Sequence, residues 1–141
     1  MPATTWRIKG CMLSDGGTEI PFPIDLTYNT ADPYAFQFDF HVGAEEPITW
    51  MMDTWLFEYA LDHPGKSVGR DAVVTYRCAA ESTNDKLSLH LRTPEGSAAI
   101  LLDATEMRTR VKRVQELATN DVKEAALNAM LAEFAKILGQ A

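Results

Sequence analysis

Residues 26–50 constrain the fold of this chain most strongly, because two extended runs are separated there by turn-forming residues. Asn29, Asp32 and Pro33 favour a turn, and Pro33 keeps the residue before it out of the helical region. From Tyr34 the sequence alternates between aromatic and smaller or polar residues, which predicts a strand with one buried face. The aromatic residues of that face are Tyr34, Phe36, Phe38 and Phe40.

A second reversal is predicted directly after this strand. Gly43 permits the change of direction, Glu45 and Glu46 lie in an exposed turn, and a further strand runs through Ile48 and Trp50. Alternating strands joined by short turns indicate an antiparallel sheet.

The rest of the chain predicts about seven strands and three helices in all. A first strand ends at the hairpin-type turn 14–17, and a second runs from about residue 21 to 29. Pro21 and Pro23 place the start of that second strand on an edge or at a bulge. Later strands are expected near 73–78, 87–91 and 98–102, with turns at 82–85 and 94–96. Two glycines in 65–69 indicate a flexible loop.

The helices are predicted from caps and apolar periodicity. Asp53 caps a short helix that stops at 63–65, and two helices follow residue 103, divided near Thr119 with Asn120 or Asp121 as the cap. The last helix has an apolar stripe, for which we favour packing on the chain's own sheet over a subunit interface. The stripe comprises Val122, Ala126, Ala129, Met130, Phe134, Ile137 and Leu138.

Composition fits one domain spanning residues 1–141, since 141 residues with 46% hydrophobic content suffice for a core. The net charge is −7, and residues 1–60 hold it all. Such a surface repels phosphate backbones, which disfavours nucleic acid as a partner. With neither a signal peptide nor a membrane span in the sequence, a cytoplasmic protein is expected, with Cys11 and Cys78 as free thiols.

The sequence offers little chemistry. His41 is followed by Glu45 and Glu46 across a turn, but this spacing fixes no metal geometry, so neither a metal nor another cofactor is predicted. A phosphate-binding loop, a nucleotide fingerprint and a nucleophile motif are all missing from the sequence, and we do not expect an enzyme.

Two surfaces are candidates for binding a partner. The first is the basic cluster of Arg108, Arg110, Lys112 and Arg113, for which we favour a solvated helix face over an acidic partner. The second is an aromatic group, for which we favour core packing over a groove that accepts an apolar anchor. Its members are Trp50, Trp55, Phe57 and Tyr59.

Two motifs resemble the SsgA-like sporulation and cell-division proteins of actinomycetes. The family shares Y-x-x-A-D-P-Y-A, then F-H-x-G-A-E-E and a Trp, and usually S-P-E-G downstream. The matching residues here are Tyr28, Ala31, Asp32, Pro33, Tyr34 and Ala35, then Phe40, His41, Gly43, Ala44, Glu45, Glu46 and Trp50, and finally Thr93, Pro94, Glu95 and Gly96. The resemblance extends from about Leu26 to the last helix.

The resemblance implies a non-enzymatic adaptor of sporulation-associated division that is recruited to division septa. Its partners would be septal or cell-wall proteins, the tubulin-like division GTPase or its tethers, and other SsgA-like proteins. The implied fold is α+β and Whirly-like, with two antiparallel sheets, a short middle helix and two C-terminal helices, assembled as a homotrimer. Because Whirly-like proteins bind single strands, a nucleic-acid-binding module is the main alternative, and a small-ligand or enzymatic domain is the third. The candidate partner-binding residues are Glu45, Glu46, Trp50, Trp55, Arg108, Arg110 and Arg113.

Overall fold

The computed structural model describes residues 3–43, 45–77 and 85–139 and shows an α+β protein, as predicted. Cys78 and most of the predicted 82–85 turn lie outside the described residues. The strands are β1 (Ala3–Leu13), β2 (Glu19–Asn29), β3 (Ala35–Phe40), β4 (Ile48–Asp53), β5 (Ser67–Gly69), β6 (Ala72–Arg77), β7 (Lys86–Thr93) and β8 (Gly96–Asp103). The helices are α1 (Thr54–Asp62), α2 (Ala104–Leu117) and α3 (Asn120–Gly139).

The described strands form one antiparallel sheet in the order β4-β3-β2-β1-β8-β7-β6-β5, so the prediction of two sheets was wrong. Each half of this sheet is a series of hairpins, as the turns indicated. The halves are joined because β1 pairs with β2 on one side and, through Gly10–Leu13, with β8 on the other. This long-range pairing has no local signature in the sequence.

The segment predicted as a flexible loop contributes the eighth strand. β5 pairs with β6, from Ser67 opposite Thr75 to Gly69 opposite Val73. The prolines of β2 behave as expected, because β3 pairs only with 24–28 and leaves Pro21 and Pro23 with β1 as their one strand neighbour.

The turn before β3 is held by hydrogen bonds that residues 28–33 make among themselves. The Asn29 backbone oxygen accepts from the Asp32 amide at 2.9 Å, and the Asn29 side chain accepts from the Ala31 amide at 2.9 Å. Pro33 is buried, and its carbonyl accepts a 3.0 Å hydrogen bond from the hydroxyl of fully buried Tyr28. The prediction that Tyr34 is buried was wrong, because it is still in the turn and is 54% exposed.

The core lies between the inner face of the sheet and the helices α1 and α2. Phe57 of α1 packs on two rings of β3, with centroid distances of 5.6 Å to Phe36 and 5.4 Å to Phe38. Met107, Val111 and other apolar residues of α2 are buried in the same core. The helices therefore cover the end of the sheet where β3 begins and β8 ends.

Aspartate side chains cap the first two helices, of which only Asp53 was predicted, and the predicted cap of the third helix needs correction. The Asp53 carboxylate accepts from the Trp55 amide at 2.8 Å, which starts α1, and Asp103 does the same for α2 through Glu106. Before α3 it is the Thr119 hydroxyl that accepts from the Val122 amide at 3.2 Å, so neither Asn120 nor Asp121 is the capping side chain.

α3 does not pack on the sheet, so the preferred prediction that its apolar stripe packs on the chain's own sheet was wrong. No residue of this helix is buried. Six large apolar side chains are between 50% and 72% exposed, namely Leu127, Met130, Leu131, Phe134, Ile137 and Leu138. Leu127 and Leu131 were missing from the predicted stripe.

Candidate functional site

The inner face of the sheet is open at the end opposite the helices. There its side chains surround a largely apolar cavity of about 300 Å³, which we call the open-end cleft. Its lining residues are Met12, Phe40, Val42, Ile48, Trp50, Leu91, Thr93, Glu95, Gly96, Ser97, Ala98 and Ile100. A cavity of this size and lining has the properties of a binding site for one or two apolar groups.

Strand register brings the cleft together from five strands, β1, β3, β4, β7 and β8. Phe40 lies opposite Ile48, Met12 opposite Ile100, and Leu91 opposite Ala98. The two family motifs, which are some fifty residues apart in the sequence, thus meet at one site through Phe40, Trp50, Glu95 and Gly96. The tight turn at Pro94-Glu95 joins β7 to β8, as predicted.

The loops around the open-end cleft are acidic. Glu45 and Glu46 are exposed in the loop between β3 and β4, as predicted, and Glu95 lines the cleft itself. In the described residues, the other charged side chains in or beside the loops at this end are Asp15, Glu19, Arg70, Asp71 and Arg92. Carboxylates outnumber guanidinium groups here, which gives this end a negative potential.

The Ala31-Asp32-Pro33-Tyr34-Ala35 motif lies at the other end of the sheet. Its first four residues, with Lys123, Glu124 and Leu127 among residues of α3, line a cavity of about 400 Å³. The Lys123 ammonium lies 5.9 Å from the centroid of the Tyr34 ring. The motif therefore forms a turn that lies beside the first half of α3.

The predicted aromatic group is divided between three environments. Phe57 is buried, Trp50 lines the open-end cleft, and Trp55 is 51% exposed at the opposite end. There the Trp55 ring lies 5.1 Å from that of Tyr59. Core packing was therefore correct for Phe57 and in part for half-buried Trp50, which packs against the core, and Trp50 and Trp55 do not share a groove.

The predicted basic cluster does not form one surface. The Arg108 guanidinium lies 5.5 Å from the centroid of Tyr76, and that of Arg110 lies 5.2 Å from the centroid of Trp6. Arg113 pairs with Glu116 on its own helix at 3.1 Å. The favoured interpretation, a solvated face, holds for exposed Arg108, Lys112 and Arg113, whereas Arg110 is half-buried.

His41 is part of an ion-pair network on the outer face of the sheet. Its Nε2 lies 2.9 Å from the Asp25 carboxylate, which also accepts a 2.6 Å hydrogen bond from Arg7 Nε. The guanidinium of Arg7, followed by His41, lowers the pKa of Asp25 below its ordinary value. In the described part of the chain, no group of three or more His, Cys, Asp or Glu side chains is arranged to hold a metal ion.

Most residues of the open-end cleft were not identified from the sequence. Met12, Val42, Ile48, Leu91 and Ala98 follow the same alternation as core residues. Their position became distinctive only because none of the described helices covers that end of the sheet.

Comparison with known proteins identifies the class. Residues 22–122 match the family described as "Streptomyces sporulation and cell division protein, SsgA". This match covers most of the chain, and the chain belongs to the SsgA-like family.

Two relatives within this family have similar sequences. The sporulation-specific cell division protein SsgB of Streptomyces coelicolor is 32% identical over 96 residues, which are 68% of this chain and 67% of that protein. SsgB of Frankia casuarinae is 29% identical over 98 residues, which are 70% of this chain and 66% of that protein. The matched segments thus span about two-thirds of the relatives.

Solved structures extend the likeness to nearly the whole fold. A structure of Streptomyces coelicolor SsgB, determined in work on longitudinal cell division during sporulation, has a TM-score of 0.76 at 25% identity, covering 88% of this chain and 94% of that one. An SsgA-like sporulation-specific cell division protein from Thermobifida fusca has a TM-score of 0.78 at 21% identity, covering 95% of this chain and 94% of that one. Among the described helices, none is both long and apolar enough to span a membrane.

Proposed function

We propose that this protein acts in sporulation-associated cell division as a non-enzymatic adaptor. In this proposal it is a single-domain cytoplasmic protein that is recruited to division septa. It binds proteins of the septum, among them the tubulin-like division GTPase or its tethers, and other SsgA-like proteins. The relatives named as sporulation-specific cell division proteins support a role in sporulation-associated division. The exposed surfaces of this chain support the role of adaptor.

The observation that carries the proposal is the uncovered apolar surface of α3. Its six large apolar side chains are each at least half exposed and extend over three turns of the helix. Contiguous apolar surface of this kind marks sites of protein association. This surface therefore supports a role in binding other proteins, including association with further copies of the chain as a homotrimer.

Binding of single-stranded nucleic acid is the weaker alternative. It requires cations along a groove together with stacking aromatics. Here the cavity that Trp55 lines includes none of the three arginines of α2, and those arginines are directed to different neighbours. The open end of the sheet, where another aromatic lies, is acidic.

The test is recovery of partners from a lysate of a sporulating actinomycete, with oligomeric state measured by sedimentation. We expect the wild type to recover septal proteins and to self-associate. Phe134→Ser/Ile137→Ser should weaken self-association at least tenfold, because it removes two exposed apolar side chains. Ala132→Ser/Ala135→Ser is the matched control, since both alanines are exposed on the same helix.

The adaptor proposal fails if an unrelated acidic domain recovers the same proteins in equal amount. It also fails if the protein recovers RNA or single-stranded DNA with an affinity that drops steeply with salt. The role of α3 in self-association fails if both double variants sediment like the wild type.

A further inference from the structure

We infer that the open-end cleft is a docking site for a protein segment that presents an apolar side chain flanked by lysine or arginine. This inference deepens the proposed function, because it assigns the chemistry of a partner and the surface that receives it.

The apolar part of the inference follows from the floor of the cleft. Phe40 and Ile100 are buried there, whereas Trp50 is half-buried and Ile48 is 50% exposed. The volume of about 300 Å³ suits one or two large side chains rather than an entire helix. Burial of one such side chain supplies an apolar anchor for a short segment.

The basic part follows from the rim. Glu95 is an exposed carboxylate that lines the cleft, and Glu45 and Glu46 are exposed in the loop between the lining residues Val42 and Ile48. None of these three glutamates takes part in an ion pair found between described residues. A cationic flank on the partner would therefore meet complementary charge, which guides association and favours one class of partner.

The same charges argue against two other occupants. Nucleic acid would bring phosphates to an acidic rim. The apolar stripe of α3 from a second copy would bring Asp121, Glu124 and Glu133 against Lys123 and Lys136, which is a net negative charge. A basic segment of another protein is the occupant that the rim favours.

The test uses the full chain and a phage-displayed library of random peptides of about a dozen residues. Peptides are selected on the wild type, after removal of those that also bind Ile48→Lys. We expect the selected sequences to combine one or two large apolar residues with nearby Lys or Arg. The best sequence is then synthesised, and its Kd is measured by fluorescence anisotropy.

Variants separate the cleft from other surfaces. We expect Ile48→Lys to raise the Kd at least tenfold, and Glu45→Lys/Glu46→Lys to raise it about tenfold while reducing its salt dependence. Asp121→Lys/Glu124→Lys changes charge equally on α3 and should leave the Kd within about twofold. Glu95→Lys, at an exposed turn, serves if Ile48→Lys does not fold.

The inference is overturned if no peptide is enriched, if the enriched peptides are acidic, or if the Kd responds to the α3 control and not to the cleft variants. It is also overturned if Ile48→Lys abolishes self-association of the protein, because a second copy of the chain would then be the occupant of the cleft. Septal proteins recovered equally by the wild type and Ile48→Lys would leave the adaptor proposal intact and remove this site. If the wild-type protein recovers no septal proteins from the lysate, the adaptor proposal is refuted, whereas the peptide-binding result still stands.

Discussion

Tyr28→Phe removes a single hydroxyl that joins β2 to the motif turn. Tyr28 is fully buried, and its hydroxyl donates a 3.0 Å hydrogen bond to the Pro33 carbonyl. Loss of the donor leaves a buried carbonyl without that bond, which costs about 1–2 kcal/mol of unfolding free energy near neutral pH. For a domain of this size, the corresponding fall in Tm is roughly 3–8 °C.

The same burial gives this prediction a pH signature. Desolvation, with smaller contributions from nearby negative groups, raises the pKa of Tyr28 to about 12. The ordinary value in an unfolded chain is about 10. Below about pH 10 both states keep the proton and the stability is unaffected, whereas above it the unfolded state releases the proton first. The wild type therefore loses about 1.4 kcal/mol by about pH 11 that the Tyr28→Phe variant does not lose.

The assay is urea unfolding followed by circular dichroism at about pH 7 and about pH 11. We expect the wild type to be the more stable protein at the lower pH and the difference to shrink or vanish at the higher pH. Tyr34→Phe is the control, since Tyr34 is exposed and its substitution should track the wild type at both values. A stability difference between wild type and Tyr28→Phe that stays constant across this range would refute the reasoning.

Three further predictions concern stability. Asp53→Ala removes the carboxylate that accepts from the Trp55 amide and should lower the free energy of unfolding by about 1 kcal/mol, measured by urea unfolding; an unchanged midpoint would contradict the cap. Gly69→Ala should cost more than about 2 kcal/mol, because φ is +120° and the new Cβ would meet the Ala72 carbonyl; unimpaired thermal unfolding would show that the turn relaxes freely. Asp25→Asn should reduce the loss of stability on acidification. The pKa of Asp25 is lower in the folded protein than in the unfolded chain, so this carboxylate stabilises the fold above its unfolded pKa, and that stability is lost as the pH falls through its folded pKa. Wild type and variant curves of unfolding free energy against pH that run parallel would contradict this.

Prediction of the fold was accurate where the cause is local. The turn at Pro33, the cap at Asp53 and the break near Thr119 all appear in the structure, because proline sterics and short-range hydrogen bonds act within a few residues. Apart from β5, which was predicted as a loop, the strands of both hairpin series were recognised from alternation for the same reason. Tyr34 was misplaced because alternation was extended back into the turn, one residue before β3 begins.

Prediction of the candidate site was partial. Glu45, Glu46 and Trp50 were selected from the sequence, and the structure places them in or beside the open-end cleft. Arg108, Arg110 and Arg113 were predicted as one basic cluster, but they are directed to different neighbours. Positions two apart and five apart, such as 108 with 110 and 108 with 113, lie on different faces of a helix. The role of all these residues in binding a partner remains a prediction.

By itself the sequence determined the family, the antiparallel hairpins, the cap at Asp53 and the acidic character of the first 60 residues. These depend on local residue chemistry and on motif residues that can be read directly. Tertiary structure alone decided that Gly10–Leu13 joins both halves into one sheet, that its inner face stays open beyond Phe40, and that α3 extends uncovered. Each of these depends on which distant segments meet, and alternation or helical periodicity is the same whether an apolar face meets its own core or a partner.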